Sequence, residues 1–304
     1  VRCKILEKGC FDGIDLAFFD ASDAISKEWV PEATKAGAWV IDSSATFRME
    51  HDVPLVVPEI NGDETLSVSR TGDRARIIAG PNCSTVQLVL ALKPLHRTWG
   101  LKRVVVSTYQ SVSGAGSEAV SELREQTRSV LDGANPEPRI LNHRIAFNCI
   151  PHIGGFKDGG YTSEELKVIQ ESRKILGIPG LRITATAVRV PTLAGHAECV
   201  NVEFERPFDL DEVRAALTRQ AGVRVLDQPE NGIYPLNETS PGDAVEAAAG
   251  RDATYVGRLR VDHSQTNALH FWVVSDNLRK GAALNALQIG EWLLKRGIFG
   301  TLPT

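Results

Sequence analysis

Cys83 sits in the stretch Ile77-Ile78-Ala79-Gly80-Pro81-Asn82-Cys83-Ser84-Thr85-Val86-Gln87. Two isoleucines end an apolar run, and Gly80-Pro81-Asn82 turns the chain. The apolar segment Thr85 to Lys93 then predicts a buried helix that Pro94 disrupts. A thiol at a helix N-terminus faces unpaired backbone N–H groups and the positive end of the macrodipole, and both favour the thiolate. The Asn82 side chain adds a donor beside it. Farther along, Arg189 ends one β-like run and His196 begins the next, with Pro191-Thr192-Leu193-Ala194-Gly195 between them. A tight connection would aim both side chains into one site. Cysteine and histidine together are the parts of an activated nucleophile and a general acid/base. Each residue alone also has a plainer reading: a buried inert cysteine, a surface arginine, a histidine satisfied in a turn.

The elements that must hold these groups follow from periodicity. Asp15 to Asp20 reads as a short buried strand, Ser22 to Ala36 as a helix ending at Gly37, and Ala38 to Asp42 as the next strand. Strand, helix and strand at this spacing predict a parallel doubly wound unit. Ser43-Ser44-Ala45-Thr46-Phe47-Arg48 follows the second strand, at the carboxyl end where ligands bind in such sheets. Val53 to Glu59 and a polar loop over 61–73 lead to the Cys83 stretch. Beyond it, strands are expected at Arg103–Ser107, Ile145–Ile150, Ile183–Val190, Ala197–Phe204, Thr254–Val261 and Ala268–Ser275. Ser113-Gly114-Ala115-Gly116 reads as a loop. Helices are expected over Ser117–Leu131, from the capping box Thr162-Ser163-Glu164-Glu165 to about Leu176, after Asp209, and over Leu278–Arg296. This second region mixes strands and helices without regular alternation, as an α+β domain does.

The 304 residues are 42% hydrophobic and 24% charged, which is ordinary for a globular chain with room for two cores. A net charge of -4 argues against nucleic acid as a partner. No stretch has the apolar length of a membrane span. The five cysteines are scattered without a C-x-x-C pair, so neither a disulfide framework nor a zinc site is indicated, and a reducing cytoplasm is the default.

Five motifs together resemble the aspartate-semialdehyde dehydrogenases. They are Gly80 to Thr85; Ser107-Thr108-Tyr109-Gln110-Ser111-Val112-Ser113-Gly114-Ala115-Gly116; Arg189 to His196; Ser44 to Arg48 with Val53 to Glu59; and Asp276-Asn277-Leu278-Arg279-Lys280-Gly281-Ala282-Ala283. The resemblance runs from about residue 10 to the C-terminus, with the motifs in the family's order. It implies NADPH-dependent reduction of aspartyl 4-phosphate to aspartate semialdehyde and phosphate. This reaction serves lysine, threonine, methionine and diaminopimelate biosynthesis. The implied fold is α/β: a truncated Rossmann-type NADP-binding domain plus an α+β catalytic and dimerisation domain. The first would span 1–82, completed by the C-terminal helix 276–304, and the second 83–275. A homodimer or a dimer of dimers is implied.

By position, Cys83 resembles the nucleophile that forms the acyl thioester, and Gln110 the residue beside it that orients the substrate. His196 resembles the acid/base catalyst. Arg189 resembles the clamp on the substrate carboxylate, a bidentate task suited to guanidinium. Glu164 looks like the partner of the substrate ammonium. Arg48, Asn82 and Lys167 look like the phosphate site, and Ser113, Gly114 and Asn277 match positions that touch NADP. The residues also admit a local i,i+3 ion pair between Glu164 and Lys167, worth a few tenths of a kcal/mol. No metal is implied.

No G-x-G-x-x-G pattern occurs before residue 15. The family's glycine-rich pyrophosphate loop and first strand are therefore expected to lie before Val1. Two other readings remain open: an N-acetyl-glutamyl-phosphate reductase, whose cysteine neighbourhood is Gly-Cys-Tyr rather than Asn82-Cys83-Ser84, and a non-catalytic homologue.

Overall fold

In chain order the elements are β1 (Leu16–Phe19), α1 (Asp23–Lys35), β2 (Trp39–Asp42), α2 (Pro58–Asn61), β3 (Ile77–Ala79), α3 (Cys83–Trp99), β4 (Leu101–Gln110), α4 (Ser117–Leu131), α5 (Ser163–Leu176), β5 (Arg182–Arg189), β6 (His196–Phe204), α6 (Leu210–Arg219), β7 (Val223–Val225), β8 (Thr254–Val261), β9 (Ala268–Ser275) and α7 (Leu284–Lys295). The computed structural model describes residues 3–64, 74–240, 243 and 245–298. From residue 65 on, the polar loop expected over 61–73 lies outside them, as do both ends of the chain.

The chain divides into two units, one formed by Val1–Asn82 with Ala282–Thr304 and one by Cys83–Gly281. In the first unit, β1, β2 and β3 form a parallel sheet in that order. Ile41, Val56, Ile78, Ala286, Ile289 and Leu293 form its core, so α7 packs its apolar stripe on this sheet. At the end of β2 the buried Asp42 carboxylate accepts from the Ser26 hydroxyl at 2.7 Å and the Ser44 hydroxyl at 2.6 Å. It thereby fixes the chain that leads to Arg48. The Arg48 guanidinium donates to the Ser43 carbonyl at 2.6 Å and is itself buried.

The second unit is built on a six-stranded sheet of order β5-β4-β6-β9-β8-β7. Its strands follow from period-2 burial. Val104, Val106 and Thr108 of β4, Ile183, Ala185 and Ala187 of β5, and Val200 and Val202 of β6 are all buried. Each series ends on a buried polar residue: Gln110, Arg189 and His196.

Four details differ from the sequence reading. Pro94 does not end its helix: α3 runs through it to Trp99. The segment from Val86 to Leu92 is buried without a break, and tertiary packing of that apolar length outweighs one lost backbone hydrogen bond. Ile145–Ile150 is not a strand; only Ile150 forms a bridge, to Arg189. The Gln126 side chain accepts from the backbone of Ile145 and Ala146 instead, which removes them from any ladder. The small-residue loop contains a turn of 3-10 helix at Val112–Ala115. Finally, β5 and β6 are not neighbours. Strand β4 lies between them, parallel to β5 and antiparallel to β6.

Candidate active site

The insertion of β4 between β5 and β6 aligns the polar residues. Gln110 is in register with Arg189 on one side and with His196 on the other. His196 is in turn opposite Ser275 of β9. Directly paired residues share a face of a sheet, so Arg189, Gln110, His196 and Ser275 form one cross-strand row.

Gln110 is held at both ends of its amide. The Thr108 hydroxyl donates to its oxygen at 3.1 Å, and its nitrogen donates to the Glu164 carboxylate at 3.2 Å. Glu164 belongs to the first turn of α5, which begins at the expected capping box: Thr162 N–H donates to Glu165 at 2.7 Å, and Glu165 N–H donates to the Thr162 hydroxyl at 3.3 Å. The second Glu165 oxygen accepts from the Ala187 N–H at 3.0 Å, fastening the helix start to β5 two residues before Arg189. Lys167 pairs with Glu164 at 3.5 Å, so the local i,i+3 pair exists as well as the link to Gln110.

Arg189 is 5% exposed and donates to the Ser111 carbonyl at 2.7 Å. Burial lowers its pKa, while the charges of Glu164 and Cys83 work in the opposite direction.

His196 is fully buried. The backbone N–H of Ser111 donates to its Nδ1 at 3.1 Å, and the Ser111 hydroxyl lies 3.2 Å from the same atom. Its Nε2 has no hydrogen-bond partner among the described residues. Burial, with the nearby Arg189 charge second, pushes the pKa down to about 3. The ring is therefore neutral at physiological pH. A nitrogen that accepts from an amide N–H carries no proton, so the proton is on Nε2.

Asn277 braces this arrangement. Its carbonyl oxygen accepts from the Gly195 N–H at 3.0 Å and from the hydroxyls of Ser111 at 3.3 Å and Ser113 at 3.2 Å. Asn277 is itself set by Asp276, whose carboxylate accepts from Leu278 and Arg279 N–H on one oxygen and Gly250 N–H on the other.

Two glycines permit close approach. A Cβ at Gly114 would stand 3.0 Å from Arg189 Nη1 and 3.1 Å from His196 Nε2, so only a residue without a side chain lets the loop lie this close to both groups. A Cβ at Gly281 would press to 2.9 Å from the Cβ of Cys83, the first residue of α3.

Of the residues singled out in the sequence, Gln110, Glu164, Lys167, Arg189, His196, Ser113, Gly114 and Asn277 are thus joined in the second unit, and Cys83 belongs to the same unit. Arg48 and Asn82 belong to the first unit, both buried. Sequence reasoning passed over Ser111, Thr108 and Gly281 as site residues. All three lie inside the motifs, but the contribution of Ser111 is a backbone N–H and that of Gly281 is a missing side chain. Neither leaves a signal in residue type.

Residues 2–68 match the NAD binding domain of semialdehyde dehydrogenases, and residues 92–280 match their dimerisation domain. The chain is 46% identical over 297 residues to the aspartate-semialdehyde dehydrogenase of Aquifex aeolicus, covering 97% of this chain and 84% of the relative. A crystal structure of aspartate semialdehyde dehydrogenase II from Vibrio cholerae, complexed with ASA, superposes with a TM-score of 0.87 at 41% identity over 96% of this chain and 83% of that one. The Candida albicans enzyme, solved with NADP, gives 0.69 at 25% identity over 93% of this chain and 78% of that one.

Proposed function

Since the chain belongs to the aspartate-semialdehyde dehydrogenase family, we propose that it is the enzyme that reduces L-aspartyl 4-phosphate to L-aspartate 4-semialdehyde, with NADPH as cofactor and Cys83 as nucleophile. The observation that carries this reading is the row Arg189–Gln110–His196 with the Ser111 N–H behind the imidazole. It puts a guanidinium, a primary amide and a neutral imidazole on one face of one sheet, groups suited to clamp a carboxylate, orient an acyl group and donate a proton.

The Cys83 sulfur attacks the acyl carbonyl, and phosphate leaves with the bonding electron pair to give a thioester. The nicotinamide cofactor supplies, when bound, the hydride that converts the thioester to the aldehyde. Arg189 holds the substrate carboxylate through its guanidinium fork. Glu164 takes the ammonium group, and Gln110, locked between Thr108 and Glu164, orients the acyl group. The Nε2–H of His196 donates to the oxygen that carries charge when the carbonyl becomes tetrahedral, an oxyanion contact in a dry site. Ser113, Gly114 and Asn277 would hold the cofactor where it meets this site. Arg48, Asn82 and Lys167 hold the leaving phosphate.

In this reading the first unit carries the cofactor and the second carries catalysis and a homodimer or dimer-of-dimers interface. The described cysteines are all free. Among the described residues no helix is long and apolar enough to cross a membrane. The reading is tested by following NADP reduction with aspartate semialdehyde and phosphate. Turnover that vanishes in Cys83→Ser supports it; turnover with N-acetyl-glutamate semialdehyde in preference would replace it.

A further inference from the structure

One row below the site, the same sheet face carries a buried carboxyl group. Glu198 follows His196 by two residues on β6 and so points the same way. It is opposite Thr108, the residue that orients Gln110, and opposite Val273 of β9. Glu198 is fully buried, and neither of its oxygens has a hydrogen-bond partner among the described residues. Helix α3 packs on this strand. One turn after Cys83 it carries Gln87, which is 1% exposed and has both amide atoms without a hydrogen-bond partner among the described residues. The Gln87 amide faces the Glu198 carboxyl and acts on its ionisation, although the two stop short of a closed hydrogen bond.

We propose that Glu198 and Gln87 form a positioning pair that fixes the first turn of α3, and Cys83 with it, against the start of β6 and His196. The proposal rests on the reading of Cys83 and His196 given above.

The chemistry of the two groups supports it. Burial raises Glu198 to about 8, with the Gln87 amide opposing. At neutral pH the group is a carboxylic acid, one donor and one acceptor, matched to the one acceptor and two donors of a primary amide. Two parallel hydrogen bonds can close between them. Once ionised, the carboxylate only accepts, and one of its oxygens opposes the amide oxygen. Few charges compete for control of the pair. The titratable groups on elements packed against β6 are Cys83, Lys93, His96 and Arg97 on α3, Lys102, Arg103 and Tyr109 on β4, and His270 on β9. Only Cys83 lies within one helical turn of Gln87. Tyr109 alternates to the opposite face from Thr108, and His270 pairs with Asn201, which is likewise on the opposite face from Glu198. On β6 itself, His196 is neutral.

The test is the pH profile of Cys83 alkylation by iodoacetamide, read by peptide mapping, which needs neither substrate nor cofactor. Glu198→Gln keeps a two-bond amide–amide pair that cannot ionise. Its rate should equal that of the unsubstituted protein below about pH 7 and exceed it about threefold by about pH 9, where a charged Glu198 opposes the thiolate. Gln87→Asn keeps the amide but withdraws it by one methylene, and it should slow labelling at about pH 7 several-fold. A Glu198→Gln ratio that stays flat with pH, or an unchanged Gln87→Asn rate, would overturn the positioning role while Cys83 remains the labelled residue. Preferential labelling of another cysteine would instead overturn the assignment of Cys83, and the proposal with it.

Discussion

The backbone N–H of Ser111 donates to Nδ1 of His196 across 3.1 Å, and this contact leaves the imidazole proton on Nε2. A residue outside the set of reacting groups thus determines which atom of the histidine acts. Ser111 has φ of -63°, a value proline adopts without strain. Ser111→Ala deletes the hydroxyl and keeps the donor, whereas Ser111→Pro deletes the donor as well and sets its ring Cδ where the N–H hydrogen stood, against Nδ1. The proline variant should lose about tenfold or more in kcat relative to the alanine variant. Equal activities would assign the contact no catalytic role.

His196 and Glu198 should make stability depend on pH in opposite senses. For His196 the folded pKa of about 3 lies below the ordinary 6.5, so unfolding takes up a proton between those values and stability falls as pH drops through that window. For Glu198 the folded value of about 8 lies above the ordinary 4.5, so folding takes up a proton and stability falls as pH rises from 4.5 to 8. Each slope is ~1.4 kcal/mol per pH unit at most. Urea unfolding of Glu198→Gln should lose the decline between pH 6.5 and 8, rise more steeply between 4.5 and 6.5, where the two windows overlap, and match the unsubstituted protein below 4.5. A parallel displacement of the whole curve would contradict the assignment.

Arg189 donates to the Ser111 carbonyl at 2.7 Å, and the proposed function also gives it the substrate carboxylate. Arg189→Lys keeps the charge and loses the planar fork. A fall in kcat/KM on the order of 10²-fold is expected, from misplacement of both substrate and the loop behind His196. Steady-state kinetics in the semialdehyde-oxidising direction checks this, and near-normal efficiency would remove Arg189 from the site.

For the phosphate assignment, Arg48→Ala or Lys167→Ala should raise the KM for phosphate more than the KM for NADP. Lys167 is already paired with Glu164, so its variant should also perturb semialdehyde binding through that carboxylate. Equal effects on both KM values would indicate a folding role.

Much of this architecture was legible in the sequence. Runs of apolar and β-branched residues located β5, β6, β8 and β9, and the capping box located the start of α5. Cys83 at a helix start followed from a turn and an apolar run. What escaped notice came from tertiary context. Pro94 reads as a helix breaker until the surrounding burial is known. The Ile145–Ile150 segment has strand-like residues, but its first amides are taken by Gln126, a side chain on a distant helix. The pairing order was the largest gap. Arg189 and His196 read as ends of successive segments, yet it is β4 between them that places Gln110 in their row. Strand order is a non-local property that no single stretch records. Glu198 and Gln87 were passed over because an isolated Glu in a strand, or Gln in a helix, reads as surface until its burial is seen.

The central claim is that the reaction passes through a thioester on Cys83. It is tested most directly by mixing the protein with aspartate semialdehyde and NADP in the absence of phosphate, quenching in acid, and mapping the adduct by mass spectrometry. One aspartyl group should appear on the peptide that carries Cys83, lost on addition of phosphate and absent from Cys83→Ser. An aspartyl adduct on Cys149 or Cys199, or turnover by Cys83→Ser, would contradict it.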